Sequence, residues 1–346
     1  MNCIECNCSI NELSCIRKPI NCAKDGCDNL MCYKCAGNNP LIVKDGSGFY
    51  SSTIQCFCSP CFLELSVLDY TKTYDLLQPT EGVQVGGCVF VFVHGGGGCR
   101  KMFSKHAEIL MKKYNHTCIL LDLPGHGTLV DTPLTPDSAA ETIQNVMETS
   151  KDTIQGKSII YVGGSLGAYI GFYILQKLSS LQLFDGAILL DCGQNVGPHA
   201  SLKAKLGLSM MRFVGSNFSN ATMMSMMQNV VSKSTADFYL NETSLAAGMF
   251  FQQSNKQVEC LKLVEPEFLI PLITVPILYM NGSKDYRDSE QKWLSLCARQ
   301  DLSSLKVYDD GDHFFTHDTR FVDDMIERWH NFAIRIEQTS QKGKHV

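Results

Sequence analysis

SIIYVGGSLGA, residues 158–168, is the stretch on which the reading of this chain turns. An apolar run, Ser158–Val162, leads straight into Gly163-Gly164-Ser165-Leu166-Gly167, and helical periodicity starts at Ala168. A serine on a sharp strand-to-helix turn is forced into a strained backbone conformation. Its hydroxyl then stands at a helix N-terminus, where the dipole and the unbonded N–H groups favour developing negative charge. Small residues on both sides let strand and helix approach closely. The same five residues away from a strand and a helix would say little, because glycine-rich turns are common.

Outward from that turn, short apolar runs alternate with helical stretches. The strands are predicted at Cys88–Val93, Thr117–Leu121, Ser158–Val162, Gly186–Leu190, Val275–Met280 and Leu305–Tyr308. Phe103, Ala107, Leu110 and Tyr114 make one helical stripe. Ala140, Ile143, Met147 and Ile154 make a second, with Pro136-Asp137-Ser138 as its start. Phe321, Met325, Trp329, Phe332 and Ile336 make a third. The alternation predicts a doubly wound, mostly parallel α/β sheet. Ser66–Gly87 reads as a polar connection with weak strand character. Over 80 residues separate the strand ending near Asp191 from the one starting at Val275, too many for a simple crossover. An inserted helical cap is expected at about 193–270. It holds seven of the 14 methionines (Met210, Met211, Met223, Met224, Met226, Met227, Met249), which suit either a variable apolar ligand or the cap's own core.

A serine nucleophile needs a base, and the base an orienting acid. His313 sits in a loop just beyond a late strand, approached by Asp310-Gly311-Asp312, whereas the nearby His317 is expected at the start of the last helix. Asp285 follows a strand and a Gly282-Ser283 turn; Asp191, after the preceding strand, is the alternative acid. The chain order serine, acid, histidine favours Ser165, Asp285 and His313. His94-Gly95-Gly96-Gly97-Gly98 follows the strand Cys88–Val93. A backbone N–H of Gly95 or Gly96, with that of Leu166, is expected to form an oxyanion hole. A phosphate loop fits poorly, since the lysine and Ser/Thr of that motif are missing. His94 and His126 are read as structural.

Together HGGGG at 94–98, LDLPGHG at 121–127, GGSLG at 163–167, NGSKD at 281–285 and GDHF at 311–314 resemble the α/β-hydrolase superfamily across roughly residues 85–336. The nearest look is the group of capped monoglyceride lipases, esterases and thioesterases. The resemblance implies a Ser–Asp–His triad and acyl transfer to water.

The first 61 residues read differently. They hold 11 of the 17 cysteines. No apolar run resembles a signal peptide, so a dense cluster points to metal rather than disulfides and to a cytoplasmic protein. Cys3-x2-Cys6, Cys22-x4-Cys27, Cys32-x2-Cys35 and Cys58-x2-Cys61 have spacings that let paired thiolates reach one tetrahedral zinc; Cys8, Cys15 and Cys56 offer substitutes. The order resembles cross-braced RING, PHD and FYVE fingers. That likeness implies one Zn2+ on Cys3, Cys6, Cys32 and Cys35 and another on Cys22, Cys27, Cys58 and Cys61. Residues 1–61 contain no histidine, unlike RING and PHD fingers, and five basic against five acidic side chains, which argues against phosphate binding.

The expected organisation is a cysteine-rich zinc module at 1–65 and a hydrolase domain at 66–346. The expected activity is hydrolysis of a carboxylic ester or thioester of a hydrophobic substrate, with zinc structural and no cofactor in catalysis. The alternative is a binding or signalling protein on the same scaffold, whose zinc module docks a protein partner. A formal net charge of −5 gives no general attraction to nucleic acid, and no stretch is apolar enough to span a membrane.

Overall fold

The computed structural model describes residues 71–79, 87–192, 259–285 and 289–343, together with 20–21, 27, 30–31, 40–43, 53–56 and 206. Seven strands form one sheet: β1 (Tyr74–Leu77), β2 (Val89–Val93), β3 (Thr117–Leu121), β4 (Ile159–Gly164), β5 (Gly186–Leu190), β6 (Ile277–Gly282) and β7 (Ser304–Tyr308). Their order across the sheet is β7-β6-β5-β4-β2-β3-β1, every pairing parallel except that of β1 with β3. Among the described residues, five helices of eight residues or more accompany them: α1 (Ser104–Tyr114), α2 (Pro136–Thr149), α3 (Leu166–Lys177), α4 (Ser289–Leu296) and α5 (Val322–Gly343).

The central strands are apolar throughout because both faces are covered. Side chains alternate between the two sides. Val89, Val91 and Val93 of β2 enter a core with Ala140 and Ile143 of α2, Ile170 and Phe172 of α3 and Trp293 of α4. Phe90 and Phe92 enter the opposite core with Ala107 and Leu110 of α1 and Met325, Trp329 and Phe332 of α5. The predicted helical stripes therefore point inward, on opposite faces of the sheet. Ile154 is the exception in its stripe: α2 ends at Thr149, and Ile154 belongs to a separate turn, Lys151–Ile154. The start of α2 is capped as its sequence suggests. Pro136 occupies the first turn, and the Thr135 hydroxyl accepts the Ser138 N–H at 3.0 Å.

Two boundaries move from their sequence positions for simple reasons. The strand read as Val275–Met280 begins at Ile277, because Pro276 has no N–H for the ladder. It then runs on to Gly282, just as β4 runs on to Gly164, so that both strands end at the site. The weak strand signal in Ser66–Gly87 is a real but short edge strand, β1, only partly buried. It is anchored by charge. Asp75 meets Arg100 Nε at 3.3 Å and Lys101 Nζ at 2.6 Å.

Arg100 is wholly buried, and so is its second partner, Asp122, at the end of β3. The Asp122 carboxylate also accepts the Arg100 N–H at 2.7 Å and the Thr128 N–H and hydroxyl at 3.1 and 2.9 Å. It thus ties the segment after β2 to the Leu123–Thr128 loop. In the N-terminal region, Ile20–Asn21 pairs antiparallel with Leu30–Met31, and Pro40–Val43 with Thr53–Cys56. The cap expected at about 193–270 falls mostly outside the described residues. Its last part is described, as a short helix Pro266–Leu269 and a following turn Ile270–Leu272. Among the described residues, no helix is long and apolar enough to cross a membrane.

Because the buried Arg100 charge rests chiefly on Asp122, Asp122→Ala is expected to cost about 3 kcal/mol of stability, the scale for breaking a buried pair from one side. Urea denaturation of wild type and variant measures it. A loss below about 1 kcal/mol would mean that Asp75 alone compensates the guanidinium.

Candidate active site

Ser165 lies between β4 and α3 with φ 48° and ψ −109°, a strained conformation for a residue with a side chain. The flanking glycines explain why the chain accepts it. A Cβ on Gly167 would lie 2.4 Å from the Val93 carbonyl oxygen, and one on Gly163 2.7 Å from the Ala168 nitrogen. No other residue fits either position. Main-chain bonds complete the elbow: the Ser165 N–H donates to Leu190 O at 2.8 Å, and the Tyr169 N–H to Ser165 O at 2.9 Å. The Tyr161 hydroxyl, from β4 itself, donates to Gly167 O at 2.6 Å.

The extensions of β6 and β7 bring in the other groups. Past the strand ends, the Ser283 N–H donates to Tyr308 O at 2.8 Å, and the Lys284 N–H to Gly311 O at 2.9 Å. The two loops are therefore held together by backbone, and each carries one polar side chain toward Ser165. His313 Nδ1–H donates to Asp285 Oδ2 at 2.7 Å, and the Ser165 hydroxyl donates to His313 Nε2 at 3.0 Å. The structure thus brings Ser165, His313 and Asp285 into one hydrogen-bonded line.

Asp191, the alternative acid, follows β5 in the left-handed region (φ 52°) and is buried. Asp191, Asp285 and His313 each place one ligand-type atom within 4.8 Å of the others. Among the described residues they are the group that could hold a cation, and two of the three, Asp285 and His313, belong to the line just described. His317 lies elsewhere than expected. It sits in a turn, Phe315–His317, ahead of α5, and is fully buried, with its ring edge-on to His106.

The glycine-rich loop after β2 is braced by neutral imidazoles. His94 Nδ1–H donates to Gly95 O at 2.7 Å, and its Nε2 accepts the Leu123 N–H at 3.0 Å. His126 Nδ1–H donates to Pro124 O at 3.0 Å, and its Nε2 accepts the Gly97 N–H at 3.2 Å. Each ring needs one donor and one acceptor nitrogen, which only the uncharged form supplies. The Gly95 N–H is already given to the Met102 sulfur at 3.1 Å. Gly95 lies directly beside Ser165: a Cβ there would stand 3.4 Å from the Ser165 Cβ, an ordinary contact. What the sequence did not reveal is the Met102 contact, which needs the chain to turn back after Cys99. The eight cysteines expected at zinc, Cys27 apart, lie outside the described residues.

A model of the alpha/beta hydrolase family matches residues 90–325. The chain belongs to the alpha/beta hydrolase family. Similar solved structures include MenH from S. aureus (TM-score 0.60, 17% identity), over 77% of this chain and 99% of that one. A thermophilic esterase from Thermogutta terrifontis (TM-score 0.56, 16% identity) aligns over 76% and 94%. A lipase-esterase related protein from Clostridium acetobutylicum (TM-score 0.56, 18% identity) aligns over 75% and 100%. No curated protein matches the sequence. At these identities the solved structures show the shared fold.

Burial holds several imidazoles far below the ordinary histidine value of 6.5: His94, His106 and His116 at about 4, and His126 at about 3. For His116 and His126 a neighbouring histidine adds to the effect. Unfolded, each would take up a proton near 6.5, so below that pH the folded state binds fewer protons. Stability is then expected to fall as pH drops from about 6.5 through about 4. Thermal melts at about pH 7 and about pH 5 should show a clear decrease; equal midpoints would mean that these rings gain protons without unfolding.

Proposed function

We propose that this hydrolase cleaves a carboxylic ester or thioester of a hydrophobic substrate through an acyl-enzyme. The observation that carries the reading is the line Ser165–His313–Asp285, at 3.0 and 2.7 Å, built on a strained elbow. As the Ser165 oxygen attacks the acyl carbon, its proton passes to His313 Nε2, and Asp285 stabilises the imidazolium through Nδ1–H. The negative oxygen of the tetrahedral adduct is received by the Leu166 N–H, at the start of α3, and the Gly96 N–H. His313 then returns the proton to the departing alcohol or thiol. A water molecule repeats the sequence on the acyl-serine and releases the acid. The apolar, methionine-rich cap segment and the esterases among the structural neighbours support an acyl substrate.

We further propose that residues 1–65 fold around structural zinc, on the cysteine pairs set out above. Cys22 and Cys27 fall in the connection between the paired strands Ile20–Asn21 and Leu30–Met31, a placement that suits a zinc-bearing turn. Thiolate ligands fit a reducing compartment, hence a cytoplasmic protein. Such a module would serve as a docking site for a protein partner.

A fluorophosphonate probe is expected to label wild-type protein at Ser165. Ser165→Ala should lose labelling and lower kcat by about 10⁴ or more while its melting temperature stays unchanged. Near-normal turnover by that variant would end the serine-hydrolase reading. Metal analysis of protein purified without chelators should give about two zinc ions per chain, and an absence of zinc would dispose of the module.

A further inference from the structure

Asp191 is a second carboxyl group beside the Ser165–His313–Asp285 line, and its surroundings are unusual for a charged side chain. It is 8% exposed, and its Oδ1 is buried with no hydrogen-bond partner among the described residues. The main chain is committed to holding it there. Its backbone adopts φ 52°, a conformation aspartate tolerates better than most residues, and its N–H donates to Met280 O at 3.1 Å.

The charged and titratable groups facing it are mostly acidic. They are Asp285 after β6, Glu290 on α4, Asp312 and His313 after β7, and the neighbouring thiol of Cys192. Like charges crowded into a low-dielectric pocket cannot all ionise. Two of the carboxylates have their own donors: Asp285 accepts from His313 Nδ1, and Glu290 from the Asn281 amide. Among the described residues, Asp191 has the Gly282 N–H as its donor. A bare buried carboxylate oxygen is costly, but an oxygen that carries the proton is a donor in need of an acceptor. Asp285 offers one within 4.8 Å.

We propose that Asp191 is a neutral carboxylic acid that donates a hydrogen bond to the Asp285 carboxylate and so positions it for His313. The shared proton stays on Asp191, and no group is consumed. The Asp191 hydrogen bond then adds to that of His313 Nδ1–H in fixing the orientation of the Asp285 carboxylate. Burial and the nearby Asp285 and Glu290 charges also push the Asp191 carboxyl well above the usual carboxylate range, in the same direction. Asp191 is a positioning residue, and its effect on rate rests on the hydrolase reading above.

Infrared spectra of full-length protein carrying carboxyl-labelled aspartate test the pair without relying on activity. At neutral pH the wild type should show the carbonyl stretch of a protonated aspartic acid, and Asp191→Asn should lose it. Kinetics supply the second arm. The asparagine amide can replace the donated hydrogen bond, so Asp191→Asn should keep kcat within about twofold, with the acid limb of its pH profile unmoved. Asp191→Ala should lose about tenfold in kcat, the scale of one hydrogen bond to a charged group. Absence of the protonated band, its persistence in Asp191→Asn, or an acid limb displaced to lower pH in Asp191→Asn would each overturn the proposal; the last would mean that Asp191 is charged. If no substrate is turned over and no probe labels Ser165, the hydrolase reading fails, while the infrared band still decides the state of Asp191.

Discussion

The close approach of α3 to the end of β2 is the constraint on which the rest of the structure depends. Gly167 sits so near the Val93 carbonyl that any side chain would collide with it. That contact lets the chain reverse from strand to helix within one residue, and the residue at the reversal is Ser165. The strain in its backbone is held by hydrogen bonds on both sides, to Leu190 and from Tyr169. Local conformational cost at a reactive residue is met by packing and hydrogen bonds around it.

The remaining site elements follow from parallel-sheet geometry. Ligand-facing loops of such sheets gather at the C-terminal strand ends. β2, β4, β5 and β6 deliver the glycine loop, Ser165, Asp191 and Asp285 there, and β7 leads to His313. The two cores on opposite faces of the sheet keep those strand ends in register. The ion pair between Arg100 and Asp122 works at the same edge, fastening the glycine loop's far end to the segment that carries His126.

Much of this could be read from residue order. Ser165 was legible because its strand, its glycines and its helix are contiguous, and Asp285 and His313 because each follows an apolar run. Central strands announce themselves when both faces are buried, as Val89–Val93 does. The edge strand Tyr74–Leu77 was faint for the converse reason: one side is open, and its anchor is the charge on Asp75 rather than an apolar pattern. The position of His317 was misjudged because helical spacing around it continues from α5, while the chain itself makes a separate turn at Phe315–His317. The engagement of Gly95 with Met102 and the crowding of carboxyl groups around Asp191 depend on distances between segments far apart in sequence, which periodicity does not encode.

The loops bearing Asp285 and His313 are joined through main-chain atoms: Ser283 N–H to Tyr308 O, and Lys284 N–H to Gly311 O. Backbone bonds of this kind are indifferent to the side chains attached. Two side chains add to them: the Ser283 hydroxyl oxygen accepts the Asp310 N–H at 2.9 Å, and Lys284 Nζ meets Asp310 Oδ1 at 2.5 Å. Elsewhere on the two loops an exchanged surface residue changes the shape and charge of the rim while the main-chain bonds keep Asp285 and His313 facing each other.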